Sequence, residues 1–167
     1  MSRLSTRSTL TTAANTAPTM LVDVLPTLVA AAGLQQPPQK LSGVSLLPLM
    51  AVIHNIRPAA SLVSTRGFAF SEYPRNVQGT QWMGMSMRTE RWRFTEWCQF
   101  NYTAAYPEWS AETISKCELE LYDHEGDTGM DPAAIDEFDN ANLAYPPAHA
   151  ATVAALHKQI IAGIHYT

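Results

Sequence analysis

The sequence has little charge and no long apolar run, and these two absences narrow the classes of protein to which it can belong. Charged residues make up 16% of the 167 residues and the net charge is −4, with no basic block that could follow a phosphate backbone. No run of about 18 apolar residues occurs, and the best stretch, 20–34, is interrupted by Asp23 and Pro26. Nucleic-acid binding and a membrane span are therefore not expected.

Cysteine is also scarce, because Cys98 and Cys117 are the only two in the chain. Two cysteines do not define a disulfide framework. They can pair if the protein is secreted, and two buried free thiols are an equally good interpretation. Residues 101–103 read Asn-Tyr-Thr, a glycosylation sequon that matters only on the secretory route.

The first 19 residues contain two arginines, many Ser and Thr, and no acidic residue. This composition resembles an organelle transit peptide, and it has no apolar segment that would indicate a secretory signal. A disordered or wrongly assigned start is the alternative. The remaining length, with 46% hydrophobic residues overall, is enough for one ordinary globular domain.

Two helices are predicted from caps and apolar spacing. The first covers 23–32, with Asp23 as N-cap, Pro26 in the first turn and Gly33 as the C-terminal stop. The second covers 148–164. Their expected buried faces are Leu25, Leu28, Val29 and Ala32 in the first helix, and Val153, Leu156, Ile160 and Ile161 in the second. Residues 45–50 predict one short helical turn limited by Pro48.

The middle of the chain changes to the period of a β-strand. Met83, Met85 and Met87 alternate with small or polar residues and predict a strand with one apolar face. A tight turn at 89–90 then leads to a second strand over 91–98, and 118–122 predicts another. Residues 67–73 also read as a strand, which Pro74 and 76–80 would end. The predicted fold is α+β, an antiparallel sheet of about four strands with flanking helices.

Several of these segments together resemble the sulfatases, a family of the alkaline-phosphatase superfamily. Segments shared with sulfatases in general are 21–28 (Val-Asp-x-x-Pro-Thr), 32–34, 41–49 (Gly-x-Ser-Leu-x-Pro), 120–123 and 142–144 (the "ELYD…NLA" pattern). Residues 71–75 and 83–89 are more specific and are similar to the iduronate-2-sulfatase type. Glu72 replaces the usual Gln there, and Met85 replaces the usual Tyr.

The resemblance implies that this chain matches only the C-terminal portion of such an enzyme. Residues 1–19 would be the disordered or transit-like start, 20–66 the end of the α/β catalytic domain with a linker, and 67–167 the C-terminal subdomain. Related enzymes use formylglycine made within a Cys/Ser-x-Pro-x-Arg motif, and a metal site that usually holds calcium. Neither cysteine lies in that motif, so no catalytic residue and no metal ligand is assigned here.

Three residues are candidates for substrate binding. Arg75 has the guanidinium geometry that binds sulfate or a uronate carboxylate, and the resemblance implies that its motif lies near the substrate pocket. The alternatives for Arg75 are a structural ion pair with a carboxylate and the capping of a strand end. Tyr73 and Trp82 could line the same rim, with core packing as their alternative.

Other clusters of charged residues are interpreted as structural. Arg88, Arg91 and Arg93 could attract a sulfated polysaccharide, but a solvated face is favoured because Glu90 and Glu96 lie nearby. The acidic run 123–139 fails as a calcium loop, because Thr128 and Ala134 occupy the positions that need Gly and Glu. A solvated turn is predicted there, and His157 is predicted to lie on the surface.

Two hypotheses about function follow. The chain is the C-terminal part of a sulfuric ester hydrolase that acts on a sulfated uronate polysaccharide, and it is inactive without its catalytic domain. The alternative is a non-catalytic module that binds sulfated carbohydrate or a partner chain. The family implies a lysosomal or secreted location, although no signal peptide is seen.

Overall fold

A computed structural model describes residues 17–53, 67–100, 116–128 and 137–164. Most of the transit-like start, the linker 54–66, the sequon at 101–103 and the middle of the acidic run at 129–136 lie outside these residues. Within the described residues, no helix has the length and apolar character needed to cross a bilayer.

The described chain is built on a four-stranded antiparallel meander. Its strands are β1 (Phe68–Val77), β2 (Thr80–Thr89), β3 (Trp92–Gln99) and β4 (Glu118–Asp123), and their order in the sheet is their order in the chain. The helices are α1 (Val24–Ala31), α2 (Leu47–Ile53) and α3 (Ala150–Ile164), with short 3-10 turns at Leu21–Asp23 and Pro147–His149. The predicted α+β class is confirmed.

The first hairpin extends further than its sequence predicts. Pro74 was expected to end the strand, yet β1 continues to Val77, opposite Thr80. The Phe70 N–H points away from β2, toward Met20 Sδ at 3.2 Å. Pro74, four residues later, lies on the same outer side of this edge strand, so its missing donor costs no ladder hydrogen bond. The loop closes at Gln78 and Gly79, whose φ angles of 52° and 84° suit a type I′ turn.

The three strand methionines share one apolar face of the sheet, as predicted, and the structure shows that α3 covers this face. Met85 and Met87 are buried there, and Met83 packs beside them. The helix contributes Leu156 and Ile160, which are also buried. The other buried members of this core are Phe94, Leu121 and Ala144. The apolar alternation of β2 and the helical spacing of α3 therefore meet in one core.

The amino-terminal helix buries the opposite side from the one predicted. Leu25 and Leu28 are 52% and 61% exposed, whereas Pro26 and Thr27 are buried. The Thr27 hydroxyl accepts a hydrogen bond from the Leu46 N–H at 2.9 Å, which draws the polar side of α1 onto the segment before α2. The apolar side of α1 consequently faces away from the rest of the described chain.

Asp23 does not cap α1 through its side chain. Its buried carboxylate accepts hydrogen bonds from the backbone N–H groups of Met20, at 3.0 Å, and Val44, at 2.9 Å. It therefore joins two segments that are 21 residues apart. The predicted helical turn near Pro48 is present as α2, which begins at Leu47, so that Pro48 falls in the first turn where a helix needs no N–H.

The outer edge of the sheet at β4 is protected by the chain that follows it. The Asn142 side chain accepts a hydrogen bond from the Leu121 N–H at 3.0 Å and donates one to the Leu119 carbonyl at 2.9 Å. Just before this strand, Cys117 forms a disulfide with Cys98 of β3. The bond decides between the two interpretations of these cysteines that the sequence left open.

Candidate functional site

The face of the sheet opposite α3 is called the open face. Along each strand, side chains alternate between the covered and open faces. The register places Tyr73 opposite Gly84 and Arg75 opposite Trp82, all at positions that alternate with the buried methionines of β2. The three residues predicted to bind substrate therefore share the open face. Tyr73 is 66% exposed, Arg75 is exposed and Trp82 is partly buried.

Trp97 of β3 belongs to the same group, although sequence reasoning missed it. The Arg75 Cζ atom lies 5.4 Å from the centroid of the Trp97 ring, a cation–π geometry. Gly84 lies directly opposite Trp97 in the register. A Cβ atom at Gly84 would lie 2.6 Å from a Trp97 ring carbon, so the ring occupies space that only glycine leaves open. The signal in the sequence is Trp97 next to Cys98 in a hairpin, but it needs the register to become informative.

The arginines of the sheet differ in their partners. Within the described residues, Arg88, Arg91 and Arg93 each pair with carboxylates, whereas Arg75 has no carboxylate partner. The pairs are Arg88 with Asp127 at 3.5 Å, Arg91 with Asp123 at 2.7 Å and Glu125 at 2.8 Å, and Arg93 with Asp139 at 2.9 Å. This pairing favours the structural interpretation of the hairpin arginines and leaves Arg75 available for an external anion.

These pairings also affect the ionisation of the groups involved. Hydrogen bonds from Arg91 hold the pKa of the Asp123 carboxyl below its usual value. The guanidinium of Arg88 is partly buried, and this desolvation lowers its pKa despite the nearby Asp127. A positive group that already loses hydration inside the fold is a poorer docking point for a polyanion than an exposed one.

A groove of about 740 Å³ lies on the open face, within the size range of small-ligand sites. Its floor includes Tyr73, Gly84 and Trp97, together with the hydroxyls of Ser86 and Thr95, which lie 2.9 Å apart. One wall is formed by residues 19–22. Arg88, Arg93 and Glu120 also line the groove. Arg75 lies beside the groove and reaches it through its contact with Trp97.

The acidic run forms a charge cluster around a buried histidine. His124 Nδ1 lies 2.9 Å from an Asp127 oxygen, and Nε2 lies 3.1 Å from an Asp139 oxygen. The prediction of a solvated turn is right for the exposed Glu125 and wrong for His124, which is 8% exposed. Asp127 and Asp139 also pair with Arg88 and Arg93. Their carboxylates therefore bind groups of this chain.

A second buried histidine contact links α3 to the sheet. His157 Nδ1 lies 2.7 Å from Oε1 of Glu96, and Glu96 is completely buried on the covered face. Burial raises the pKa of the Glu96 carboxyl, and the hydrogen bond from His157 opposes part of that rise. The prediction of a surface His157 is therefore wrong. The side of α3 that packs on the sheet carries this polar contact beside its apolar residues.

The described residues do not fit the cofactors that the resemblance implies. Both cysteines are joined in the disulfide and neither lies in Cys-x-Pro-x-Arg, so neither can become formylglycine. Within residues 17–53, 67–100, 116–128 and 137–164, no three His, Cys, Asp or Glu side chains are grouped so as to hold a metal ion. No chemical step is assigned to these residues.

Comparison with known proteins identifies the fold. No family model matches the chain, and no curated protein matches it. Among solved structures, the chain is similar to a presumed sulfatase from Bacteroides thetaiotaomicron, with a TM-score of 0.55 and 22% identity. It is also similar to a 2-O GAG (glycosaminoglycan) sulfatase, with a TM-score of 0.56 and 21% identity. Each likeness covers 86% of this chain and 24% of the other. The chain thus has the fold of a sulfatase C-terminal region and spans about a quarter of those proteins.

Proposed function

We propose that this chain is the C-terminal part of a sulfatase, a sulfuric ester hydrolase. The observation that supports this proposal most strongly is the fold, because 86% of the chain superimposes on about a quarter of two proteins named as sulfatases. The order of the motif segments along the sequence supports it independently. Residues 1–19 would be a start segment, 20–66 the end of the catalytic domain with a linker, and 67–167 the C-terminal subdomain.

The same proposal extends to the iduronate-2-sulfatase type and to sulfated uronate saccharides as substrates. The two motifs specific to that type, 71–75 and 83–89, fall on β1 and β2 and pair with each other over most of their length. One of the similar structures is itself named as a 2-O GAG sulfatase. Arg75, which has no carboxylate partner among the described residues, would then bind the sulfate or the uronate carboxylate.

The missing partner in this proposal is the catalytic domain, which would supply formylglycine and calcium. Support comes from α1 and the turn before it, which expose large apolar side chains of the kind that usually mark an interface. Their exposed fractions are 90% for Leu21, 47% for Val24, 52% for Leu25 and 61% for Leu28. A catalytic domain packed on this side would cover them.

Activity assays test the first part of the proposal. The purified chain should hydrolyse neither an aryl sulfate nor a 2-O-sulfated uronate disaccharide, because it has no residue that can become formylglycine. Turnover of either substrate that is lost on adding a chelator and restored by calcium would contradict this. In addition, the DNA immediately upstream should encode Cys/Ser-x-Pro-x-Arg in frame, and a promoter there with no such motif would favour a separate module.

A non-catalytic module that binds sulfated saccharide is the second candidate function. It is favoured by the same Arg75, placed beside a groove with two aromatic rings and two hydroxyls on its floor. Both candidates need Arg75 to contact an anionic group, and they differ in whether a catalytic domain completes the site. The upstream sequence distinguishes them.

A further inference from the structure

The unpaired guanidinium of Arg75 is held by an aromatic ring instead of a carboxylate. Two other arginines of the described residues lie over aromatic rings and provide a comparison. Arg91 lies 4.7 Å from the Trp92 centroid and Arg93 lies 4.9 Å from the Tyr122 centroid, but both also bind carboxylates. Arg75 over Trp97 is the one such pair among the described residues in which the cation keeps its hydrogen-bond donors free of acidic partners.

The position of the Trp97 ring depends on a missing side chain. Gly84 lies opposite Trp97, and a Cβ atom there would lie 2.6 to 2.8 Å from three atoms of the ring. Such separations are far below van der Waals contact, so any larger residue would displace the ring. Gly84 therefore lets the Trp97 ring pack closely against the sheet. The ring in turn contacts the Arg75 guanidinium.

We propose that Trp97, which packs on Gly84, is a positioning residue that holds the Arg75 guanidinium beside the groove to bind the sulfate group of a sulfated uronate saccharide. The inference rests on the proposed substrate contact of Arg75 and adds the two residues that place it. A guanidinium presents several N–H donors in one plane, and a ring beneath that plane restricts its rotamers without occupying those donors. A carboxylate partner would occupy them.

The groove next to this pair has the dimensions and chemistry for a saccharide. Its volume of about 740 Å³ accommodates a disaccharide-sized ligand. Tyr73 offers a ring face, Trp97 lines the groove, and the hydroxyls of Ser86 and Thr95 offer hydrogen bonds. A sugar can pack its apolar ring face on Tyr73 while its sulfate binds Arg75, which lies diagonally across β2 from Trp97.

The test is an NMR titration of the full chain with three probes. These are a 2-O-sulfated uronate disaccharide, the same disaccharide without sulfate, and sodium sulfate. The sulfated disaccharide should shift the Arg75 Nε–H and Trp97 Nε1–H signals, and the unsulfated one should not. Sodium sulfate should bind more weakly. Equal binding of sodium sulfate would overturn the saccharide part of the proposal.

Variants then distinguish a role of Trp97 in positioning Arg75 from a role in stabilising the fold. Arg75→Ala should abolish the sulfate-dependent shift, whereas Arg91→Ala, which removes the same charge, should not. Trp97→Leu should weaken binding about fivefold, the effect of an exposed cation–π contact, and Trp97→Phe should restore most of it. Tyr122→Leu is the matched control, because it removes the ring beneath Arg93 on the same face. Gly84→Ala should weaken binding by displacing the ring without removing any donor.

The outcomes are decisive for both proposals. If Arg75→Ala abolishes binding while Trp97→Leu and Gly84→Ala leave it unchanged, the positioning role is wrong and the Arg75 contact stands. If the native chain shows no sulfate-dependent shift, both the site and the Arg75 contact are wrong, and the sulfatase assignment is then judged on the upstream sequence alone. If Trp97→Leu does not fold, as judged by amide dispersion, Gly84→Ala decides.

Discussion

The two faces of the sheet differ in which residues they carry and in what those residues contact, although both are built from alternate residues of the same strands. The covered face is filled by Met85, Met87 and Phe94 packed against α3, so each residue is fixed by volume and apolarity. The open face carries aromatic, basic and hydroxyl side chains that line a groove. Since adjacent residues in a strand point to opposite faces, structural and functional demands are separated at every step along the chain.

Substitution on the two faces should have very unequal effects on stability. Phe94→Ala removes a completely buried ring and should lower the free energy of unfolding by about 3–5 kcal/mol. Tyr73→Ala, on the open face, should change it by less than about 0.5 kcal/mol. Urea unfolding followed by circular dichroism measures both. Similar losses for the two variants would remove the distinction between the faces.

The disulfide should contribute almost as much to the free energy of unfolding as a buried residue of the covered face. Cys98 is buried on that face and is joined to Cys117, 19 residues later. Replacing both with Ser should cost about 3 kcal/mol, because the unfolded chain regains the freedom of a loop of this size. Urea unfolding with and without a thiol reductant provides the measurement. The reductant should destabilise the native chain and leave the double variant unchanged.

A smaller effect is expected at Glu96, whose carboxylate is buried on the covered face. The pKa of Glu96 is raised above its ordinary value of 4.5, so the folded state binds this proton more tightly than the unfolded state does. The contribution of Glu96 to stability is therefore greatest below pH 4.5 and declines as the pH rises from there to its raised pKa, by at most about 1.4 kcal/mol per pH unit.

Glu96→Gln keeps the shape of the side chain and removes this titration. The advantage of the native chain over the variant should shrink as the pH rises through that window. Urea unfolding at several pH values between 4 and 7 would show it. An unchanged difference across the range would mean that the burial of Glu96 does not govern its ionisation.

Much of the covered face was predictable because its signals are local. The alternation of Met83, Met85 and Met87 and the spacing of Leu156 and Ile160 each follow from a few adjacent residues. Two errors came from position within the fold. Pro74 breaks a central strand but not an outward-facing edge position, and the polar contacts of Thr27 with the segment before α2 outweigh the apolar stripe of α1.

The open face was harder to predict because its arrangement depends on register. Tyr73, Arg75 and Trp82 were selected as candidates for substrate binding, and the sheet brings them to one face. The sequence signals of Gly84 and Trp97 become informative only once the register shows that the two residues lie opposite each other. His157 was misplaced for a related reason, because its partner Glu96 lies 61 residues away. The role of the candidate residues in binding remains a prediction for the titration above.

The place of α3 in the chain has a consequence for synthesis. All four strands leave the ribosome before this helix does. The helix supplies Leu156 and Ile160, which pack on the apolar face of the sheet. Until it emerges, the nascent sheet would present a bare apolar surface to the cell, a state prone to aggregation. We therefore expect a chain ending at residue 149 to bind a general chaperone for exposed apolar surface in cell-free synthesis, and the full 167-residue chain to be released from it.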